Sequence, residues 1–343
     1  MATNDFEQKK SFLYQGALLH NALIHKAPDD VLCRYLAFRI IVDTMSFEDM
    51  INNRVHTRIR EIRNVLLAHK QDSNFFSGYN ASDEICDSKI SPLVSFMKGQ
   101  ITVAQQAPSI AELANVQTAQ TFLSLSQAIM QKYYSDEVAG FRVSNNFLCF
   151  TGTYVHEVSQ NELAGCFYRY NSSKALATFS QCFFNNFHTI PDYMNATRYA
   201  KRDIILHTMN MADCVFKDIR NNHSIDGLYD IMKKEKIGNP AVLTNLLNSQ
   251  SYSDLYTKVR TVRNKVVGHM DSAASMSDLF AMLDGLSISD VYQLINDVDF
   301  AVHNAARTHM AIWARYVTSN SHVPEDRQFK ILDIPGLKPT SYF

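Results

Sequence analysis

Residues 60–69 read REIRNVLLAH and residues 260–269 read RTVRNKVVGH. Both fit Arg-x-[Ile/Val]-Arg-Asn with a small residue and then His closing the segment. The first copy supplies Arg60, Arg63, Asn64, Ala68 and His69; the second supplies Arg260, Arg263, Asn264, Gly268 and His269. Self-similarity of this kind means one helical unit used twice. Its flanks extend the match. Ser46-Phe47-Glu48-Asp49 precedes the first copy and Ser251-Tyr252-Ser253-Asp254 the second. Each Ser-aromatic-x-Asp is expected to cap its motif helix, with an acid in the first turn. An acid also follows each His, at Asp72 and Asp271. The distance from flank to motif differs between the copies, 11 positions from Asp49 to Arg60 against six from Asp254 to Arg260. The copies have therefore diverged.

Charge gathers around both motifs. Arg54, His56, Arg58, Arg60, Arg63, His69 and Lys70 stand against Glu61 in the first; Lys258, Arg260, Arg263, Lys265 and His269 stand together in the second. The whole chain of 343 residues carries 33 Lys+Arg against 34 Asp+Glu, a formal charge of −1. No molecule-wide positive field exists, so a polyanion must be met by these local patches. A basic run is more often a solvated helix face; the paired Asn and His favour function.

Composition bounds the rest. Hydrophobic residues make up 46% and charged ones 20%, a globular balance that excludes a disordered or fibrous chain. The 11 Gly and 8 Pro are too few for a turn-rich sandwich or barrel and argue for long helices. Helical periodicity is expected after Asp29 and Asp30, carrying Leu32, Tyr35, Leu36, Val42 and Met45. A second helix opens at the Ser109/Glu112 capping box and runs towards Tyr133; a third begins at Ser289 and carries Val291 through Tyr316. Between Gly140 and Tyr170, aromatic and β-branched residues including Phe147, Thr153, Tyr154, Val155, Cys166 and Tyr168 are compatible with a short β-hairpin, and equally with a buried helix. Cys33, Cys86, Cys149, Cys166, Cys182 and Cys214 contain no CxxC pair and suit free thiols in a reducing compartment. The opening MATNDFEQKK lacks an apolar signal segment, and no apolar run spans a membrane, so a cytoplasmic protein is expected.

The pattern Arg-Asn-x-x-x-small-His resembles the signature of HEPN domains, an all-helical family whose mark is an Arg, usually a polar residue next, and a His after four to six intervening residues. VRNKVVGH with Asp271 is similar to the HEPN proteins of bacterial abortive-infection systems. The resemblance implies an all-α chain of two HEPN-like bundles packed as an intramolecular pseudo-dimer, with the hairpin as an insertion. The units are then 1–135, a connecting segment 136–190, 191–323, and an extended tail 324–343. It also implies a metal-independent endoribonuclease, without cofactor, acting in antiviral defence or as a toxin. Its composite site holds Arg63, His69, Arg263 and His269 as catalytic residues, with Asn64, Asn264, Arg60 and Arg260 binding RNA. A regulatory protein partner and homo-oligomerisation are compatible with it. The chemistry suits the residue types: the 2′-hydroxyl attacks phosphorus to leave a 2′,3′-cyclic phosphate. Histidine moves protons near neutral pH, and a guanidinium stabilises the phosphoryl charge. The Asn residues either orient the phosphate or hold the Arg fork. Six residues along an α-helix separate Arg from His by ~9 Å and about 120°, so the helix must end near the His or the Arg must reach across.

Two features depart from the family. Gln71 and Asp271 stand where toxins restrained by a nucleotidyltransferase antitoxin carry Tyr. A rival motif, Arg202-Asp-Ile-Ile-Leu-His207, also has permitted spacing. Two other functions share the sequence. One is a non-catalytic HEPN scaffold that binds RNA or a nucleotide. The other is a helical interaction protein in which Arg, Asn and His form a buried network. That network requires Arg63 and Arg263 buried against acids; the nuclease requires them beside a shared cleft. His156-Glu157 lacks the second His of a zinc motif, His303 and His309 suit packing or solvent, and Asp297 and Asp299 point to different helix faces. Tyr154, Tyr168 and Tyr170 are candidates for stacking on bases.

Overall fold

The architecture comes from a computed structural model that describes residues 2–24, 30–64, 87–101, single positions between 166 and 184, 196–216, 227–236, 238–268, 270–271 and 273–307. Among the described residues every regular element is helical and no strand occurs. In chain order these are α1 (Ala2–Ile24), α2 (Asp30–Ile51), α3 (Thr57–Ile62), α4 (Asp87–Gly99), α5 (Ala196–Val215), α6 (Leu228–Glu235), α7 (Pro240–Leu247), α8 (Gln250–Val262), a π-helical turn (Arg263–Gly268), α9 (Met276–Gly285) and α10 (Ile288–Arg307).

The first half is built on α1 and α2, which pair antiparallel, with α4 packed across both. Their contact is close because Gly16 faces Asp43 on α2 and Tyr199 on α5. A Cβ at Gly16 would lie 2.8 Å from the Asp43 carboxylate and 2.9 Å from the Tyr199 ring. The Tyr199 hydroxyl donates to the Phe12 carbonyl at 2.7 Å, and its ring stacks on Phe12 at 4.5 Å. Helix α5 therefore packs against the first half although it belongs to the second. Buried charges cross the same boundary: Arg202 pairs with Asp43 at 2.8 Å, and Arg39 pairs with Asp203. On its other side α5 meets α10, which also packs on α7 and α8. A single apolar core runs through both halves, from Leu13 and Ile41 to Leu294 and Val298.

Local signals explain the boundaries of the second half. Pro240 stands in the first turn of α7, where its missing N–H costs nothing. Ser249 caps α8, and a reciprocal Ser275–Asp278 capping box opens α9. Helix α10 begins at Ile288, and Ser287, one residue before it, accepts from the Ser289 amide at 3.3 Å. The expected start at Ser289 is thus displaced by the preceding serine.

Two sequence expectations are corrected. Ser46–Asp49 does not cap the first motif helix but lies inside α2, where Ser46 Oγ donates to the Val42 carbonyl at 2.9 Å. The extra five residues of the first copy are the non-helical stretch 52–56 between α2 and α3, entered through Asn52 in the left-handed region at φ 51. In the second copy Ser251 falls inside α8, since Ser249 takes the cap and no acid occupies the first turn. Of the two readings of 140–170, the buried helix is seen at the positions described, Cys166 and Tyr170, which are helical and buried. Residues 140–165, the Ser109–Tyr133 helix and the 324–343 tail lie outside the described residues. Cys166 and Cys214 are buried, and the Cys166 thiol donates to the Cys214 carbonyl at 3.6 Å. No described helix is long and apolar enough to cross a membrane.

Candidate composite site at the two Arg-Asn motifs

Both motif helices change their winding at the same point. Helix α3 runs from Thr57 to Ile62 and widens into π-type winding at Arg63 and Asn64; α8 does the same at Arg263 and continues so to Gly268. Such widened turns recur at functional sites. The correspondence extends to side chains. Arg63 donates to Asn64 Oδ1 at 2.7 Å, and Arg263 donates to Asn264 Oδ1 at 2.9 Å. Of the two roles open to the asparagines, holding the Arg fork is the one the geometry displays in both copies.

The copies meet. Arg63 Nη2 donates to the carbonyl of Gly268 at 3.2 Å, and Ser46 Oγ lies 3.5 Å from the same oxygen. Arg263 is close enough to Arg63 for the two cations to repel. The Arg63 pKa falls to about 10, chiefly through burial; Asp49 opposes the fall, and Arg60, Arg263 and Arg54 add to it. The π-turn ends at Gly268, immediately before position 269. His69 and His269 themselves lie outside the described residues, as does Ala68.

The environments of the two arginines differ. Arg63 is 3% exposed and sits 3.4 Å from Asp49. Asp49 also binds Arg60 at 2.6 Å and Arg54 at 3.4 Å. Glu48, fully buried beside it, accepts from Arg60 at 2.8 Å and from the His56 ring at 2.5 Å. Two consecutive acids at the end of α2 thus gather the cations of the first motif. The sequence places an acid of this stretch in the first turn of the motif helix; the non-helical stretch 52–56 instead leaves both at the end of α2. In the second copy Arg263 is half-buried and Asn264 exposed. Arg260 lies over the Tyr256 ring at 5.7 Å, while Lys258 pairs with Asp290. Arg63 therefore meets the requirement of a buried, acid-paired network, and Arg263 that of an accessible site.

The rival pair is buried. Arg202 is fully buried against Asp43, with the Val267 carbonyl of the second motif 3.5 Å away, and His207 is 1% exposed on α5. Tyr170 is buried and donates to Asp299 at 2.6 Å, so it offers no stacking face; Tyr154 and Tyr168 lie outside the described residues. Asp299 also pairs with Lys174 at 2.6 Å and His303 at 3.3 Å. Among the described residues no group of three His, Cys, Asp or Glu is placed to hold a metal ion. Comparison of the chain with protein-family models, with curated proteins and with solved structures finds no match.

Proposed function

We propose that this chain is a HEPN-type, metal-independent endoribonuclease whose two Arg-Asn-x-x-x-small-His motifs form one composite site. In this reading the two halves are HEPN-like bundles joined as an intramolecular pseudo-dimer. The observation that carries it is the contact of Arg63 with the carbonyl of Gly268, which brings the first motif to the residue preceding His269 of the second. Motifs serving separate purposes have no reason to meet across 205 residues of chain.

The roles follow the environments. Arg263, accessible and steadied by Asn264, binds the scissile phosphate and stabilises its growing negative charge. Arg63, buried and steadied by Asn64 and Asp49, adds positive potential from beneath and ties the copies together. Arg60 and Arg260 flank the site and attract the RNA backbone. One histidine removes the 2′-hydroxyl proton as that oxygen attacks phosphorus. The other protonates the departing 5′-oxygen, and a 2′,3′-cyclic phosphate remains. Antiviral defence or toxicity, in the cytoplasm, is the setting that suits this activity.

A labelled RNA pool incubated in EDTA with the wild type and with a His69→Ala/His269→Ala variant tests the reading. Fragments ending in cyclic phosphate from the wild type alone support it. Equal cutting by both proteins sinks it.

The burial of Arg63 against Asp49 favours a second reading, a helical interaction protein in which Arg, Asn and His form a buried network. Neither cleavage nor saturable RNA binding in the same assay identifies it.

A further inference from the structure

We infer that Lys9 and Asp5, in the first turns of α1, are positioning residues for the second motif: they hold the backbone that follows position 269. For its catalytic consequence the inference rests on the nuclease reading; for its structural content it does not.

Lys9 is 2% exposed. Its ammonium donates to the carbonyl of Asp271 at 3.1 Å and to that of Ala274, and it pairs with Asp5 at 3.1 Å. Asp5 in turn accepts from the amide of Met276, the first residue of α9, at 2.5 Å. Desolvation pushes the Asp5 pKa up, but the Met276 amide and Lys9 outweigh it, so the carboxyl lies below its usual value. Burying an ammonium is costly unless it is paired and hydrogen-bonded. The residues one turn further along α1, Phe12 and Leu13, are buried apolar side chains, so packing of this helix does not call for a cation. What a cation does that an apolar side chain cannot is gather carbonyl oxygens from a segment without regular structure.

That segment is the one the second motif feeds. Between Gly268, where the π-turn ends, and Met276, where α9 begins, the described residues form no helix. The Asp271 amide reaches back to the Lys265 carbonyl at 2.8 Å, so the chain leaves the π-turn in a tight bend. Upstream of position 269 the Gly268 carbonyl is held by Arg63. Downstream, Asp271, Ala274 and Met276 are held by Lys9 and Asp5. Every one of these clamping side chains belongs to the first half. A proton-transferring group has to be held to roughly half an ångström, and here the fixing comes from the other copy. The clamp links the two halves mechanically at the place where the nuclease reading needs them registered.

Lys9→Met and Asp5→Asn test the inference in the full-length chain. Amide hydrogen exchange at 270–276 is expected to accelerate about tenfold or more, while α10 is unchanged. With labelled RNA, kcat is expected to fall ~10- to 100-fold at unchanged KM. Unchanged exchange at 270–276 overturns the inference whatever happens to activity, and so does faster exchange with unaltered kcat. If the wild type cuts no RNA, the nuclease reading fails by itself and the imidazole resonances of His269, assigned against His269→Ala, decide. Their displacement in Lys9→Met upholds the clamp and their constancy overturns it. Should Lys9→Met fail to fold, Asp5→Asn carries the same readouts, because that carboxylate is 28% exposed and its loss removes no core volume.

Discussion

Arg63 donates its Nη2 proton to the backbone carbonyl of Gly268, 3.2 Å away and 205 residues further along the chain. The contact joins corresponding parts of two copies of one motif, yet it is not symmetric. The first arginine is enclosed and the second remains accessible. The same residue type is therefore enclosed in one copy and only half-buried in the other.

That asymmetry separates two substitutions. Arg63→Ala removes a buried guanidinium from Asp49, Asn64 and Gly268, although Asp49 keeps Arg54 and Arg60. It should cost about 1–3 kcal/mol of stability along with activity. Arg263→Ala should cost less than about 1 kcal/mol, since its site is partly solvated, and should still abolish RNA cleavage. Urea denaturation beside the cleavage assay checks both. Equal stability losses contradict the assignment of roles.

Gly16 marks a close approach of α1 to its neighbours. Gly16→Ala forces a methyl against the Asp43 carboxylate and the Tyr199 ring. Both are tied down, one by Arg202 and the other by the Phe12 carbonyl. Overpacking of this kind costs about 1–3 kcal/mol. A melting temperature matching the wild type would show that the helices can part there.

Acid should weaken the protein in a defined window. Burial, with Arg39 beside it, lowers the His20 pKa to about 4 from an unfolded value of 6.5. Between those two pH values the unfolded chain binds the proton that the folded chain refuses, so stability falls as pH falls. The slope for this one group approaches about 1.4 kcal/mol per pH unit. Asp299 is held well below the usual carboxylate range: burial opposes this, but Lys174 and His303 outweigh it. Its contribution is present above the unfolded carboxylate pKa and is lost at lower pH. Denaturation midpoints between pH 7 and pH 4 for the wild type and His20→Gln read the first window. An identical slope in the variant refutes the assignment.

His207→Ala should keep its cleavage per folded molecule while losing stability, because the ring is buried within α5. Emptying a buried site of this size costs on the order of 2–4 kcal/mol. Loss of cutting in a variant that still folds would restore Arg202 and His207 as the second half of the site.

The two motifs, the helical class and the start of α2 were legible along the chain. They rest on spacing, on Asp30, and on the scarcity of glycine and proline, all local properties. The caps were misplaced by two residues at Ser249 and Ser287, because two serines in the same short stretch compete for one role. The helix carrying Cys166 and Tyr170 was ambiguous because aromatic side chains suit either a sheet or a buried helical face.

By itself the sequence determined that this protein is helical and carries one Arg-Asn motif twice, since winding and repetition are written between near neighbours. Only the tertiary structure decided which arginine is enclosed, that Glu48 and Asp49 gather the first motif's cations, and that Lys9 reaches the segment after Gly268. Those facts depend on groups as much as 265 positions apart being brought together. Burial, charge pairing and carbonyl capture act through space, and no local pattern records which distant partner a charged side chain will meet.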